Sequence, residues 1–176
     1  MAVSAGLTSQ LQGLVLRLED DLRARVADLP DISARWHAEY ESALQRERTA
    51  AAWEAWRDDR VTLAAVGWVI TCVFVRFCED NGLVRPVWIA GPDQRRQEAL
   101  DAQLDYFRAH PEHTDREWLQ HAFGYLESLP ATRGLVDEHA AWRLVTPSGD
   151  AAAMLLAFFR DSGEDGRILR DFTDPT

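Results

Sequence analysis

Histidine and carboxylate side chains that lie close together in the sequence are the first candidates for chemistry. His110, Glu112, His113 and His121 fall within twelve residues, and two imidazoles with a carboxylate are a ligand set typical of zinc. The spacing argues against a metal site, because residues 110–113 cross an expected loop and match no H-E-x-x-H helix pattern. We therefore predict solvated loop histidines and no metal ligands. His139 lies on an apolar face of an expected helix and is expected in the core.

Adjacent acidic residues are the second candidates, for acid–base catalysis. Neighbouring residues of a helix do not face each other, so we expect each pair to lie on a solvated helix face. Nucleophilic catalysis has no support, since no serine has a G-x-S-x-G setting and neither cysteine has a histidine nearby in sequence. The acidic pairs are Asp20-Asp21, Asp58-Asp59 and Glu79-Asp80.

The basic residues exclude several classes of protein. All 19 are arginine, and without lysine the chain can form neither a P-loop nor a Schiff base, nor a nuclease that depends on lysine. The 29 acidic residues give a net charge of -10, which opposes DNA binding by the chain alone unless one face is selectively basic. Paired arginines such as Arg95-Arg96 are equally explained by ion pairs with neighbouring acids.

Apolar residues at steps of three and four predict an all-α fold, and no segment alternates with period two or repeats at a fixed interval. We expect one domain over 1–176, with about six or seven helices around a central apolar helix. The expected helices run from a cap at Thr8 or Ser9 to near Pro30, from Pro30 or Asp31 to about Gln45, from a cap at Thr49 through Val61 to Glu79, from Asp93 to before Pro111, from a capping box at Thr114 to Leu129, briefly around Leu135 to Trp142, and from a cap at Ser148 to Arg160.

The most apolar segment, Val61 to Val75, predicts a buried helix. It falls short of the ~20 apolar residues that a membrane span requires, so no membrane association is expected. Cys72 and Cys78 are six residues apart on this helix and are expected to be reduced core residues. The first residues carry no basic segment ahead of an apolar stretch, so we expect a cytoplasmic protein.

The central helix also carries a family resemblance. The run VTLAAVGWVITCVFVRFCEDNGLV, Val61 to Val84, resembles the helix ending in F-x-R-F-x-E-D-x-G-L that precedes the catalytic domain of large adenine-specific DNA methyltransferases. These include type IIG restriction-modification enzymes and the PglX type of the BREX and Pgl phage-defence systems. The stretches LEDDLRAR, WHAEYESA and TAAAWEAWRDD, and WRLVTPSGDAAAMLLAFFRD with LRDFTDPT, resemble the PglX type more narrowly and in the same order.

The resemblance implies a parent enzyme that methylates adenine N6 with S-adenosylmethionine, beside other phage-defence proteins. The family's N-P-P-[YF] motif and its glycine-bearing cofactor motif have no counterpart in this sequence. We therefore expect a non-catalytic N-terminal helical region of a longer methyltransferase, without catalytic, cofactor-binding or metal residues of its own. Its implied partners are the methyltransferase core, DNA through that core, and other defence proteins.

The matched motif supplies the candidate contact residues. Arg76, Glu79, Asp80, Asn81 and Gly82 are expected to have an internal structural or interdomain role, although helix capping alone explains the last two. The alternative is a stand-alone acidic adaptor that binds another protein through an exposed Trp88 in the loop from Pro86 to Pro92. A third hypothesis, an acidic mimic of DNA, rests on the charge alone.

Overall fold

The computed structural model describes residues Ala2–Asp174, with side chains from Gly6 onward, and confirms the all-α prediction. The described part contains seven α-helices, two 3₁₀ turns and one isolated antiparallel bridge between Ser162 and Ile168. The helices are α1 (Ala2–Asp28), α2 (Pro30–Gln45), α3 (Trp53–Asp80), α4 (Arg96–Ala109), α5 (Asp115–Ser128), α6 (Arg133–Val136) and α7 (Gly149–Arg160), and the 3₁₀ turns are Asp93–Arg95 and Ala141–Arg143.

Local capping signals explain some of the helix ends. The capping box at α5 is present: Thr114 accepts from the backbone N–H of Arg116, and Glu117 accepts from that of Thr114 at 2.8 Å. Burial would raise the pKa of Glu117, but the hydrogen bonds from Thr114 and Arg116 outweigh it and hold that pKa at about 2. The predicted caps of the first helix are wrong, because α1 begins at Ala2 and Thr8 and Ser9 lie inside it.

Three other expectations are corrected by the structure. The hydroxyl of Thr49 accepts from the N–H of Ala51 at 3.2 Å in the turn before α3, which begins only at Trp53. The predicted helix around 135–142 is one turn, α6, followed by a break. His139 lies in that break with its side chain 84% exposed, so its predicted place in the core is wrong.

The described chain divides into two compact units, and the expectation of one domain stays a prediction. Unit 1 comprises the residues up to Trp68 with Ala141–Ser148. Its core includes buried leucines of α1, Trp36 of α2 and Trp68 of α3, whose indole N–H donates to the carbonyl of Val145 at 3.1 Å. Gly67 allows this approach, since a Cβ there would lie 2.6 Å from the backbone nitrogen of Trp142.

Unit 2 comprises Val69–Ala140 and the described residues from Gly149 onward. It contains the end of α3, a long loop, α4 to α7 and the C-terminal segment. The helix α5 packs against both α6 and α7. The buried residues of unit 2 include Trp118, Phe123, Leu155 and Phe159.

The long central helix α3 has the length and composition that would allow a helix to cross a membrane. A core helix satisfies the same test, and more than half of its most apolar window is buried within the protein. Cys72 and Cys78 are buried and free, as predicted, and burial raises the pKa of both thiols. We therefore describe α3 as a core helix.

Candidate functional site

The matched motif lies where α3 ends, and its chain reversal has a specific backbone form. Gly82 has φ +64°, the left-handed region that glycine adopts most readily. The N–H of Leu83 donates to the carbonyl of Cys78 at 2.9 Å, and that of Gly82 to the carbonyl of Glu79 at 3.1 Å. These two bonds form a Schellman motif, which confirms the predicted helix end at Asn81-Gly82.

Glu79 is the centre of this site and is almost completely buried. One carboxylate oxygen, Oε1, accepts from the backbone N–H groups of Trp88 at 2.6 Å and Ile89 at 2.9 Å. The other, Oε2, accepts from those of Ala90 at 3.1 Å and Gly91 at 2.7 Å. Four consecutive N–H groups therefore converge on one carboxylate, which does for residues 88–91 what a bound anion does in a backbone nest.

Arg76 lies one turn earlier on α3 and is equally buried. Its Nη2 donates to both carboxylate oxygens of Asp80, at 2.9 and 2.7 Å, and its Nη1 donates to the carbonyl of Phe159 at 2.7 Å. Its Nε lies 3.7 Å from Oε2 of Glu79. This guanidinium therefore offsets the buried negative charge and satisfies the carbonyl of Phe159 in the last turn of α7.

Asp80 and Asn81 hold the C-terminal segment. The N–H of Phe172 donates to Oδ2 of Asp80 at 2.9 Å, and that of Asp174 donates to Oδ1 of Asn81 at 2.8 Å. In the opposite direction, Nδ2 of Asn81 donates to the carbonyl of Phe172 at 3.0 Å and Nη2 of Arg76 to that of Arg170 at 3.2 Å. Hydrogen bonds in both directions thus hold residues 170–174 against the end of α3.

Arg160, at the end of α7, is a further member of the site that sequence reasoning missed. It donates to the carbonyls of Trp88 and Ile89, and its Nη1 donates to Oε1 of Gln103 at 2.6 Å. Burial lowers the pKa of Arg160, and the charges of Asp115 and Glu79 oppose that shift. The N–H groups of residues 88 and 89 therefore donate to Glu79, and their carbonyls accept from Arg160. No sequence signal distinguishes this arginine from the exposed ones.

Two predictions about these residues are wrong. Glu79 and Asp80 do not lie on a solvated face, because backbone N–H groups and Arg76 replace water around both carboxylates. Trp88 is not an exposed contact: it is 4% exposed, its ring lies 4.7 Å from that of Tyr125, and its carbonyl accepts from the indole N–H of Trp118. The structure therefore brings all six candidate residues together as an internal framework, which we call the α3-end cluster: Arg76, Glu79, Asp80, Asn81, Gly82 and Trp88.

The histidine loop differs from its prediction in one respect. It is indeed a loop between α4 and α5, with His110 and Glu112 exposed and His113 half-buried. However, the N–H of His113 donates to the carbonyl of His110 at 3.1 Å, and this turn brings one ligand atom of each of the three side chains to within 4.8 Å of the others. His121 is not a member of this group. The spacing predicts that a loop keeps the candidate ligands apart. The structure instead brings three of them together within that loop.

These features define an all-helical protein whose matched motif organises its own backbone rather than presenting reactive groups. In sequence the chain is similar to the adenine-specific methyltransferase PglX of Streptomyces coelicolor, with 41% identity over 171 residues. The alignment covers 96% of this chain and 14% of PglX. No protein-family model and no solved structure matches the chain. The chain is thus homologous to part of PglX, which confirms the resemblance found in the sequence.

S-adenosylmethionine, which a methyltransferase implies, does not fit this chain. The resemblance implies a glycine-bearing cofactor motif in an alternating α/β fold, in which nucleotide cofactors bind at a turn that follows a strand. The described residues Ala2–Asp174 form helices and a single isolated bridge, and the glycine with positive φ at the end of α3 follows a helix. We assign no cofactor-binding residue to this part of the sequence.

Proposed function

We propose that this chain is a non-catalytic helical region of an adenine-N6-specific DNA methyltransferase in bacterial phage defence. The observation that carries the proposal is the alignment with PglX, which covers 96% of this chain. The chain spans 14% of the length of PglX. In this role the chain supports the methyltransferase core and the DNA cleft, and contacts other defence proteins in the cytoplasm. S-adenosylmethionine binds elsewhere in the parent enzyme.

The chemistry of the chain supports a structural role. The sequence has no N-P-P-[YF] motif. At the α3-end cluster, Glu79 and Asp80 already accept from backbone N–H groups and from Arg76, so neither is available as a base without loss of local structure. A carboxylate used in this way fixes backbone and does not transfer protons.

An exposed apolar patch on unit 1 is our candidate for the contact with the rest of the methyltransferase. The hydroxyl of Thr62 donates to Glu19 at 2.6 Å, and Arg23 pairs with Asp58 at 3.3 Å, so α1 and α3 run antiparallel. Continued along the two helices, this antiparallel register places Leu16 of α1 roughly opposite residue 65 of α3. The α1–α3 patch consists of Leu16, Leu63 and Val66, which are 62%, 54% and 39% exposed.

The register places these three exposed apolar side chains on neighbouring turns of α1 and α3, and we take them as an interaction site because exposed apolar patches mark such sites in soluble proteins. The occupant we propose is the remaining part of a PglX-type chain, because this chain spans only 14% of its relative and the greater part of such a protein is available to cover the patch. Because these side chains are 39–62% exposed, covering each one adds about 1 kcal/mol, a part of the ~1.5–3 kcal/mol for burying a fully exposed aliphatic side chain.

The first test is a chimera. This chain replaces its homologous region in Streptomyces coelicolor PglX, and N6-methyladenine is measured by nucleoside mass spectrometry after incubation with DNA and S-adenosylmethionine. We expect the chimera to retain the activity of PglX and residues 1–176 alone to transfer no methyl group. Methyl transfer by the isolated chain, or full activity of PglX lacking the region, would refute the proposal.

The second test addresses the patch. Leu16→Asp and Val66→Asp in the chimera are expected to lower methylation at least tenfold while the isolated chain keeps its helical circular dichroism. Leu135→Asp is the matched control, because Leu135 is also 62% exposed but lies on α6, outside the patch. Equal activity of patch and control variants would contradict the assigned contact.

The adaptor hypothesis loses its proposed contact with the burial of Trp88. An adaptor would have to bind through another surface, and the DNA mimic still rests on charge alone. Detection of the native protein with an antibody on a denaturing gel separates these hypotheses: a species far above 19.9 kDa favours the methyltransferase and a species at 19.9 kDa favours the adaptor.

A further inference from the structure

We propose that the loop between α4 and α5 binds one divalent transition-metal cation of the zinc class, with His110, Glu112 and His113 as ligands. The proposal is independent of the methyltransferase role. It rests on the position of the three side chains and on the way Tyr106 holds one of the imidazoles.

The turn makes these residues a ligand set. One ligand atom from each side chain lies within 4.8 Å of the others, and the two imidazole rings are 4.8 Å apart and nearly parallel, at 10°. Tetrahedral ligands about 2.0–2.1 Å from zinc lie about 3.3 Å from each other. His110 and Glu112 are exposed, so their side chains can rotate until the ligand atoms, now within 4.8 Å of one another, are about 3.3 Å apart, without movement of the core.

His113 is the ligand that the structure already orients. Its Nδ1 shares a 2.8 Å hydrogen bond with the hydroxyl of Tyr106, and its Nε2 lies 3.5 Å from Oε1 of Glu112. The Tyr106 ring is in turn fixed against Trp118, with the ring centroids 5.2 Å apart. When Nδ1 donates to the tyrosine oxygen, the lone pair of the imidazole is on Nε2, facing the carboxylate. A hydrogen bond of this kind to the second nitrogen is typical of metal-binding histidines.

The donor set selects the class of cation. Two imidazoles and one carboxylate suit Zn²⁺, Co²⁺, Ni²⁺ and Cu²⁺, whereas Mg²⁺ and Ca²⁺ take oxygen ligands. Three protein ligands leave a fourth position for water, as in open zinc sites.

The test uses tag-free protein of residues 1–176, because a histidine tag would bind the same metals. Co²⁺ is titrated and followed by its visible absorption, and Zn²⁺ then competes in isothermal titration calorimetry. We expect one equivalent of Co²⁺, displaced by one equivalent of Zn²⁺, and no saturable binding of Mg²⁺. Absence of saturable Co²⁺ and Zn²⁺ binding would overturn the proposal.

Variants assign the ligands. His110→Ala, Glu112→Gln and His113→Ala are expected to weaken Zn²⁺ binding by more than tenfold each. Tyr106→Phe removes only the hydrogen bond to Nδ1, and outer-shell changes of this kind weaken metal binding ~10- to 100-fold. His139→Ala is the matched control, because His139 is exposed and lies outside the ligand group.

Circular dichroism verifies that each variant remains helical. Unchanged Zn²⁺ affinity in both His110→Ala and His113→Ala would overturn the site, and so would an equal loss of affinity in the His139→Ala control. Unchanged affinity in Tyr106→Phe would overturn the orientation assigned to His113.

Discussion

Arginine–aspartate pairs occur in both halves of α3, and their surroundings differ completely. Near its start, Asp58 accepts from Arg57 at 2.9 Å and from Arg23 of α1 at 3.3 Å, and its side chain is 43% exposed. Near its end, Arg76 and Asp80 pair at 2.7 Å with side chains that are almost completely buried. The same residue types on the same helix therefore form a surface pair in unit 1 and a buried pair in unit 2.

The difference shows what makes an ion pair structurally necessary. Exposed pairs contribute about 0–1 kcal/mol, because water solvates the partners nearly as well when they separate. A buried pair has no such alternative, and removal of one partner costs about 3–5 kcal/mol since the other charge stays unpaired. At the end of α3 the charges also satisfy the backbone of residues 88–91 and 172, so the cost extends to two segments distant in sequence.

Glu79→Gln is the strongest test of this contrast. A glutamine has nearly the same shape as glutamate. Its NH₂ group, however, is a donor and would face two backbone N–H donors that now donate to a carboxylate oxygen. We expect a loss of about 3 kcal/mol or more in the free energy of unfolding, measured by urea titration with tryptophan fluorescence.

Glu39→Gln is the matched control. Glu39 pairs with Arg60 at 2.6 Å in unit 1, but its side chain is 42% exposed, and we expect a loss below about 1 kcal/mol. Similar losses in the two variants would contradict the claim that burial separates the two kinds of ion pair.

Arg76→Lys is expected to have the next largest effect. A lysine keeps the positive charge, but its single ammonium group lacks the planar geometry with which the guanidinium donates to Phe159, Asp80 and Arg170 at once. The expected loss is about 2 kcal/mol, that of one or two hydrogen bonds to charged groups. Arg23→Lys, at the exposed pair with Asp58, is the control, with a change within about 0.5 kcal/mol. A reversal of this order would refute the assigned role of the guanidinium.

The sequence predicted most of the helices and the end of α3, but not the burial of the α3-end cluster. Steps of three and four residues placed α2, α5 and α7 almost to the residue, and Asn81-Gly82 predicted the end of α3. Burial of Glu79 depends on the loop at 88–91, and the ligand set at His110 depends on one backbone turn. Both are contacts of the folded chain, and neither leaves a periodic signal in the sequence.

Asn81→Ala extends the comparison to the C-terminal segment. The substitution removes the side-chain bonds to Phe77, Phe172 and Asp174, whereas the backbone bonds of the Schellman turn do not involve this side chain. We expect a loss of about 1–2 kcal/mol and faster hydrogen exchange at the N–H of Asp174. Asn81→Asp restores only the acceptor, so exchange at Asp174 should be slower in this variant than in Asn81→Ala. Equal exchange in both variants would show that the side-chain oxygen does not hold this N–H.

Asp58→Asn is expected to have the smallest effect, about 0.2–1 kcal/mol near pH 7. Partial burial raises the pKa of Asp58, but the hydrogen bonds from Arg57 and Arg23 outweigh it and lower that pKa below its ordinary 3.8. Because the folded-state pKa is depressed, the ion pair stabilises the fold above pH 3.8 and loses this contribution as the pH falls through the lowered pKa. The difference between wild type and Asp58→Asn should therefore shrink in acid, and at neutral pH it should also shrink in 1 M salt, where the Debye length is about 3 Å. A difference that exceeds 2 kcal/mol or survives high salt would mean that Asp58 behaves like the buried carboxylates at the other end of α3, and the distinction between the two halves of the helix would fail.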